Sequence, residues 1–488
     1  MPSEAVSVEA LAAEVPDTTV DVVGRSVLVS DVHHDSRDVT PGSVFVAVRG
    51  ERRDGHTRVD EAIGKGAVAV VVDHRLDVEV TQIVVPDTRR AMPWIAAAAH
   101  GHPSRSLTVV GVTGTNGKTT VTHMIEAIAV AAGRRCAIVG TVGARIAGTP
   151  VSISRTTPEA TDLQRLLGAM RDEDVDVVAV EVSSHALSLH RVDAVDFAVV
   201  AFTNLSQDHL DFHGDMASYF AAKRSLFTSA RASHAVIWID DPHGAIIARS
   251  TDLDTTTVGF SDGADVRAVD VELSVNGSRF VAVSPDGEAA VSIALPGRFN
   301  VANALVAIAC AAGIGVGPKD AAAGLAHLDQ VPGRFETIDS GQPFGVIVDY
   351  AHTPEAISSV IAETRQIADG RVIVVFGAGG DRDPLKRPLM GAAAEAADVV
   401  IVTSDNPRSE DPQSIIDAIV SGMSTMPGVE IERRRAIAAA VELAQPSDVV
   451  LILGRGHEPR QELAHGDLVD FDDRVEAGRA LLAAGWSP

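Results

Sequence analysis

The sequence is poor in cysteine, in aromatic residues and in positive charge, and it has no long apolar run. Two cysteines, Cys136 and Cys310, occur in 488 residues. They lie far apart in apolar surroundings without metal-ligand spacing, which excludes a disulfide framework or a cysteine-based metal centre; both read as reduced core residues. Aromatics make up 4% of the chain, so Ala, Val and Gly carry the apolar pattern, a mixture that favours α/β layers. Lys and Arg number 41 against 66 Asp and Glu, a formal charge of −25. That balance repels nucleic acid and anionic membranes, and any anionic ligand needs locally concentrated donors. No apolar stretch reaches the roughly 20 residues of a membrane span. The acidic start, MPSEAVSVEALAAEV, lacks the basic-then-apolar order of a secretory signal. A cytoplasmic protein without membrane insertion is expected.

The length suits about three domains of roughly 150 residues. Up to about residue 105, short strands such as 43–48 and 67–72 suggest a small α/β domain. A second unit opens with a strand at 107–112, a glycine-rich loop and a helix from about Thr119 to Ala132 stopped by Gly133. Strands follow at 175–180 and 197–203, and alternation between about 235 and 295 suggests an antiparallel subsection. Beyond Pro332-Gly333-Arg334, strands at 345–349, 371–376, 399–403 and 449–453 alternate with Ala-rich helices, the pattern of a parallel sheet.

Chemistry concentrates first at Thr113-Gly114-Thr115-Asn116-Gly117-Lys118-Thr119. A strand that enters a helix through such a loop aims backbone N–H groups and a helix N-terminus at an anion, and phosphate is the natural guest. Lys118 suits β/γ-phosphate oxygens and Thr119 suits Mg²⁺. The usual spacing fails by one residue, since Val112 stands where the first glycine belongs, so this is a variant loop. Glu181 follows an apolar strand and suits Mg²⁺. The dense polar run Thr203 to Gly214 makes His209 a candidate metal or phosphate contact.

The segments GTNGKTT, EVSSHAL, TNLSQDHLDFHG, YFAAKRSLF, GRFNVANALVA, VPGRFE, VDYAHTPEAI and GGDRDPLKRPLMG, in this order along nearly the whole chain, resemble the Mur ligase family. The resemblance implies a three-domain α/β architecture: an N-terminal UDP-MurNAc-binding domain (1–105), a central P-loop ATPase domain (106–334) and a Rossmann-like, amino-acid-binding C-terminal domain (335–488). It implies ATP-dependent amide formation, in which a substrate carboxylate attacks the γ-phosphorus and an amine displaces phosphate from the acyl phosphate. Lys118, Glu181, His209 and Lys223 would carry it, with Thr119, Glu181, His209 and Lys223 around Mg²⁺ and Lys223 as a CO₂-derived carbamate. Asn300, Asn303, Arg334 and Asp349 resemble further ATP contacts.

For the acceptor, UDP-MurNAc-L-Ala-D-Glu, the resemblance points to Ser36, Thr156, Thr157, Ser183 and Arg191; Leu189 departs from the polar residue often found at its position. The tetrapeptide Asp405-Asn406-Pro407-Arg408 looks like a meso-2,6-diaminopimelate signature, because a guanidinium can grip the distal carboxylate that lysine lacks. Arg382, Gly454 and Glu458 resemble the remaining amine-side contacts. A monomer is expected. A folylpolyglutamate-synthase-like ligase would share the loop and the chemistry, although the Ser36 region and Asp405 to Arg408 speak against it. A nucleotide-binding switch would hydrolyse ATP without ligation.

Overall fold

A computed structural model describes residues 5–16, 18–50 and 53–487. Its strands gather into three large sheets. The first orders Asp21–Val23, Thr81–Val84, Ala69–Val72, Val44–Val46 and Val32–His33, parallel except for the Asp21–Val23 edge.

The central sheet has eleven strands. Its middle runs Cys136–Gly140, Val177–Glu181, Thr108–Thr113, Phe197–Phe202, Ala232–Trp238 and Asp254–Gly259, all parallel. The last two belong to the region expected to be antiparallel. Helix Pro242–Ser250 between them supplies the crossover that parallel neighbours require. Within this sheet, antiparallel pairing holds among Val266–Ser274, Gly277–Ser284 and Gly287–Ile293, and at the opposite edge. The third sheet orders Glu336–Thr337, Gly345–Asp349, Val449–Leu453, Val372–Phe376, Val399–Val402 and Gly428–Val429, parallel but for its short first strand.

Valine-rich runs become strands because both sheet faces are covered. All five residues of Val177–Glu181 are buried, which leaves no polar alternation. Helices Lys118–Ala131 and Arg298–Gly313 cover one face over Val110, Val112, Ile138 and Val199. On the other, Leu163, Leu167 and Met170 of helix Ala160–Asp172 pack against Val109, Val178 and Val180. Cys136 and Cys310 are free and buried, as expected.

Polar contacts tie the first unit to the second. Asp31 takes Arg165 Nε at 3.1 Å, and His34 Nδ1 lies 2.7 Å from Thr161 Oγ1. The third unit borrows apolar cover from the second: half-buried Val275 and Phe299 pack against its core, with Phe299 edge-on to Phe335 at 5.1 Å. No helix among the described residues is long and apolar enough to cross a membrane.

Candidate functional site

The carboxyl ends of Thr108–Thr113, Val177–Glu181 and Phe197–Phe202 converge, the position where open α/β sheets place ligands. Gly114 has φ +148° and Gly117 φ +86°. A Cβ on either would collide with Thr203 Oγ1 or Asn303 Oδ1 respectively, so the loop needs glycine for backbone and space alike. The helix begins at Lys118, one residue earlier than expected, because the left-handed Gly117 turns the chain directly into it.

The Phe202 strand's continuation holds the loop. Thr115 N donates to Asn204 O at 2.9 Å, Asn116 N to Asn204 Oδ1 at 2.9 Å, and Thr203 Oγ1 to Asn116 O at 2.6 Å. Lys118 Nζ folds back onto Gly114 O and Thr115 O at 2.9 and 2.8 Å, while Lys223 Nζ reaches the same Gly114 O at 2.7 Å. Two amines thus share one carbonyl. Burial lowers both pKa values; Lys223 falls well below the ordinary lysine value, its neighbour Lys118 pushing the same way. Lys223 is buried on helix Met216–Arg224, which Asp215 caps through Ser218 N, and its ammonium nitrogen stands 4.5 Å from the Tyr219 ring centre.

Glu181 ends its strand, buried, with Oε1 accepting from Thr141 N and Oε2 from Thr141 Oγ1, both at 2.8 Å. His209 sits at a left-handed φ of +54°, with the ring of His185 edge-on at 4.8 Å. Burial, then the nearby His185, Lys118 and Lys223, keep its imidazole below the usual histidine range against the pull of Asp208. Thr119 Oγ1 accepts from Arg334 Nη2 at 3.3 Å. Among the described residues, buried Thr113 Oγ1 and Arg334 Nε have no hydrogen-bond partner. Hydroxyl, carboxylate and imidazole, with these unmet donors beside them, fit a phosphate accompanied by a hard divalent cation.

A cavity of about 490 Å³ adjoins the loop, lined by Asn116, Gly117, Asn303, Arg334 and Asp349. Trp238, Phe260 and Phe299 give it an aromatic wall that no motif announced. Asn300 does not line it. Its Nδ2 donates to Pro296 O at 2.7 Å and its Oδ1 accepts from Asn303 Nδ2 at 3.2 Å, so it orients Asn303. Asp349 Oδ2 accepts from Phe335 N at 2.7 Å, and burial raises the pKa of its carboxyl.

On the other side of the loop, Thr157 Oγ1 donates to Glu181 O at 2.6 Å and accepts from Ser183 N at 3.1 Å. Thr156 Oγ1 lies 3.2 Å from Thr141 Oγ1. Arg191 is buried against Glu159 at 2.9 Å and donates to Thr157 O at 3.1 Å, which locks the segment. The turn that carries buried Ser36 is held to it by His34 and Thr161. Leu189 caps the short helix Ser184–Ser188.

In the third unit, Asp405, Asn406 and Pro407 are buried at the end of Val399–Val402. Asn406 Nδ2 donates to Glu458 Oε2 at 2.9 Å, and Asn406 Oδ1 accepts from Arg455 Nη1 at 2.6 Å. Burial raises the pKa of the Glu458 carboxyl. Gly454 has φ +113°, and a Cβ there would lie 2.6 Å from Asp405 Oδ2. Arg382 is exposed, with its stem beside Gly379. Tyr350 joins the two sides: the Arg334 guanidinium stacks over its ring at 4.6 Å, and its ring lies 5.6 Å from that of His457. Sequence reading gave Thr141, Tyr350 and Arg455 no role. They are ordinary residues at strand ends or inside motifs, visible only once the chain is folded.

Family models match three stretches: the Mur ligase middle domain over residues 112–311, the Mur ligase glutamate ligase domain over 333–456, and the Mur ligase family catalytic domain over 29–103. The chain is 46% identical over 458 residues, 92% of its length and 94% of the relative's, to the UDP-N-acetylmuramoyl-L-alanyl-D-glutamate--2,6-diaminopimelate ligase of Geobacillus thermodenitrificans. It is 42% identical over 488 aligned positions, 96% of its length and 94% of the relative's, to the ligase of the same name from Streptomyces coelicolor. A solved structure of a ligase so named superposes with a TM-score of 0.69 at 34% identity, covering 94% of this chain and 95% of that one.

Proposed function

The chain belongs to the Mur ligase family, and on that premise we propose that it joins meso-2,6-diaminopimelate to the D-glutamyl carboxylate of UDP-MurNAc-L-Ala-D-Glu. It is an ATP-dependent ligase. The reading places it in the cytoplasm as a monomer, at work on a peptidoglycan precursor, with its units divided at about residues 105 and 334. Relatives that carry the diaminopimelate ligase name at high coverage favour it over a folylpolyglutamate-type substrate.

The carrying observation is that Arg334 spans the two halves, with one nitrogen on Thr119 of the phosphate loop and its plane on Tyr350 beside the Glu458 segment. One guanidinium therefore links the nucleotide and amine sides. Phosphoryl transfer needs alignment and charge neutralisation more than a protein nucleophile. In this reading Lys118 leaves Gly114 O for the β/γ-phosphates, Arg334 offers its unpartnered Nε, and Asn303 and Asp349 hold the nucleoside. The acceptor carboxylate attacks the γ-phosphorus and ADP leaves. The diaminopimelate amine then attacks the acyl carbon, phosphate departs and the amine loses a proton.

Thr119, Glu181, His209 and Lys223 would hold Mg²⁺, which supplies charge neutralisation to the transferring phosphoryl group. Lys223 suits a carbamate: an amine whose proton affinity burial lowers is a readier nucleophile for CO₂, and the new N–C bond forms with release of a proton, giving an anion in place of a cation. Ser36, Thr156, Thr157, Ser183 and Arg191 face the UDP-sugar dipeptide, and Arg382, Asp405, Asn406, Pro407, Arg408, Gly454 and Glu458 face the amine.

A coupled phosphate-release assay with each substrate withheld in turn, and with diaminopimelate, lysine and glutamate compared as amines, tests the reading. Release only in the complete mixture, with diaminopimelate strongly preferred, is expected. Release without the UDP-sugar dipeptide indicates a switch, and equal use of lysine refutes the amine assignment.

A further inference from the structure

Arg408 adopts a left-handed backbone, φ +52°, which an L-residue keeps only where its surroundings enforce it. The enforcement comes from a hairpin, Arg460–Glu462 with Leu468–Asp470, that docks edge-on along residues 405–408. Glu462 N donates to Asn406 Oδ1 at 2.8 Å, Arg408 N donates to Glu462 O at 3.2 Å, and Gln461 Nε2 donates to Asp405 O. On this backbone frame, Arg408 Nε donates to Glu462 Oε2 at 2.7 Å and Nη1 to Gly380 O at 2.7 Å. Gly379 leaves the guanidinium its room, since a Cβ there would lie 3.0 Å from Nη1.

A guanidinium has five N–H donors in a rigid plane. Glu462 and Gly380 fix that plane at two of them, and among the described residues no protein partner is assigned to Nη2. We propose that Glu462 is the positioning residue for Arg408: it clamps Nε so that the Nη1/Nη2 edge faces the amine substrate's distal carboxylate already oriented. The proposal rests on the diaminopimelate reading. A preset fork loses less freedom when it binds, so the benefit belongs to substrate affinity and leaves the chemical step alone.

Steady-state kinetics on the full-length Glu462→Ala and Glu462→Gln variants, each substrate varied in turn, test it. For Glu462→Ala the KM for diaminopimelate is expected to rise about tenfold, the scale of one lost charge-assisted hydrogen bond. Turnover and the KM values for ATP and the UDP-sugar dipeptide should stay within about twofold. Glu462→Gln keeps an oxygen that accepts from Nε and should recover most of the loss; a general loosening of the hairpin would move all three KM values and show no such recovery. An unchanged diaminopimelate KM in Glu462→Ala overturns the proposal. A lowered one does so too, since Glu462 would then compete with substrate for Arg408. A wild-type chain that does not use diaminopimelate overturns the functional reading and this inference together, whereas the other two outcomes overturn the inference alone.

Discussion

Lys118 and Lys223 crowd one carbonyl oxygen, an arrangement that a cationic pair tolerates poorly and that burial resolves by lowering their proton affinity. Lys223→Ala is expected to cut turnover by about 100-fold or more while ATP binding, followed by calorimetry, persists, because the loss falls on charge stabilisation in the reaction. Arg408→Ala should erase most of the preference for diaminopimelate over lysine, on the order of 10-fold to 100-fold in kcat/KM, leaving ATP affinity in place. Asn300→Ala should raise the KM for ATP several-fold by releasing Asn303 (~1 kcal/mol for one buried hydrogen bond). Lys118 and Thr119 were legible in the sequence despite the variant spacing, since a glycine-rich strand-to-helix loop is local in the chain. Asn300 was read as a nucleotide contact, whereas it holds Asn303 and does not line the cavity, because which of two amides faces the cavity depends on the helix's rotation against the loop. Glu462 was not legible at all; it reaches Arg408 from 54 residues away.

The elements obey their local signals where the signal is local. Asp215 caps the helix that carries Lys223, and Asp215→Ala should cost about 1 kcal/mol of local stability, read as faster amide hydrogen exchange over residues 216–224. Gly117→Ala places a Cβ at φ +86° against Asn303; about 1–2 kcal/mol of backbone strain together with the collision should abolish tight nucleotide binding before it unfolds the chain. The strands read from Val-rich runs lie within two residues of those observed, whereas Thr81–Val84 and Cys136–Gly140 were not read. Pairing direction could not be read: the run at 232–238 is apolar at its end and that at 254–259 is Thr-rich, and the helix between them, which dictates parallel pairing, is short and only modestly apolar.

At the scale of the whole molecule, the first unit is held to the second by Asp31 and Arg165, 134 residues apart. Burial alone would raise the Asp31 pKa, yet the His100 ring 3.3 Å away and the hydrogen-bonded Arg165 guanidinium hold its carboxyl well below the usual carboxylate range. A depressed folded-state pKa contributes stability that is present above the unfolded value of about 3.9 and is lost as pH falls through the folded one. Asp31→Asn should therefore unfold at lower denaturant than the wild type at pH 6, and the gap should narrow as pH falls below about 4, where the unfolded chain takes up a proton on Asp31 that the folded chain still refuses. Such long-range pairs carry no trace in a single sequence.

Val275 and Phe299, contributed by the central unit, are half-buried plugs against the core of the third. The boundary between the two units is therefore not a seam along which the chain can be cut and rejoined. A chimaera that exchanges residues 335–488 to change which amine is added will inherit mismatched plugs and fold poorly unless positions 275 and 299 are exchanged along with the transplanted core.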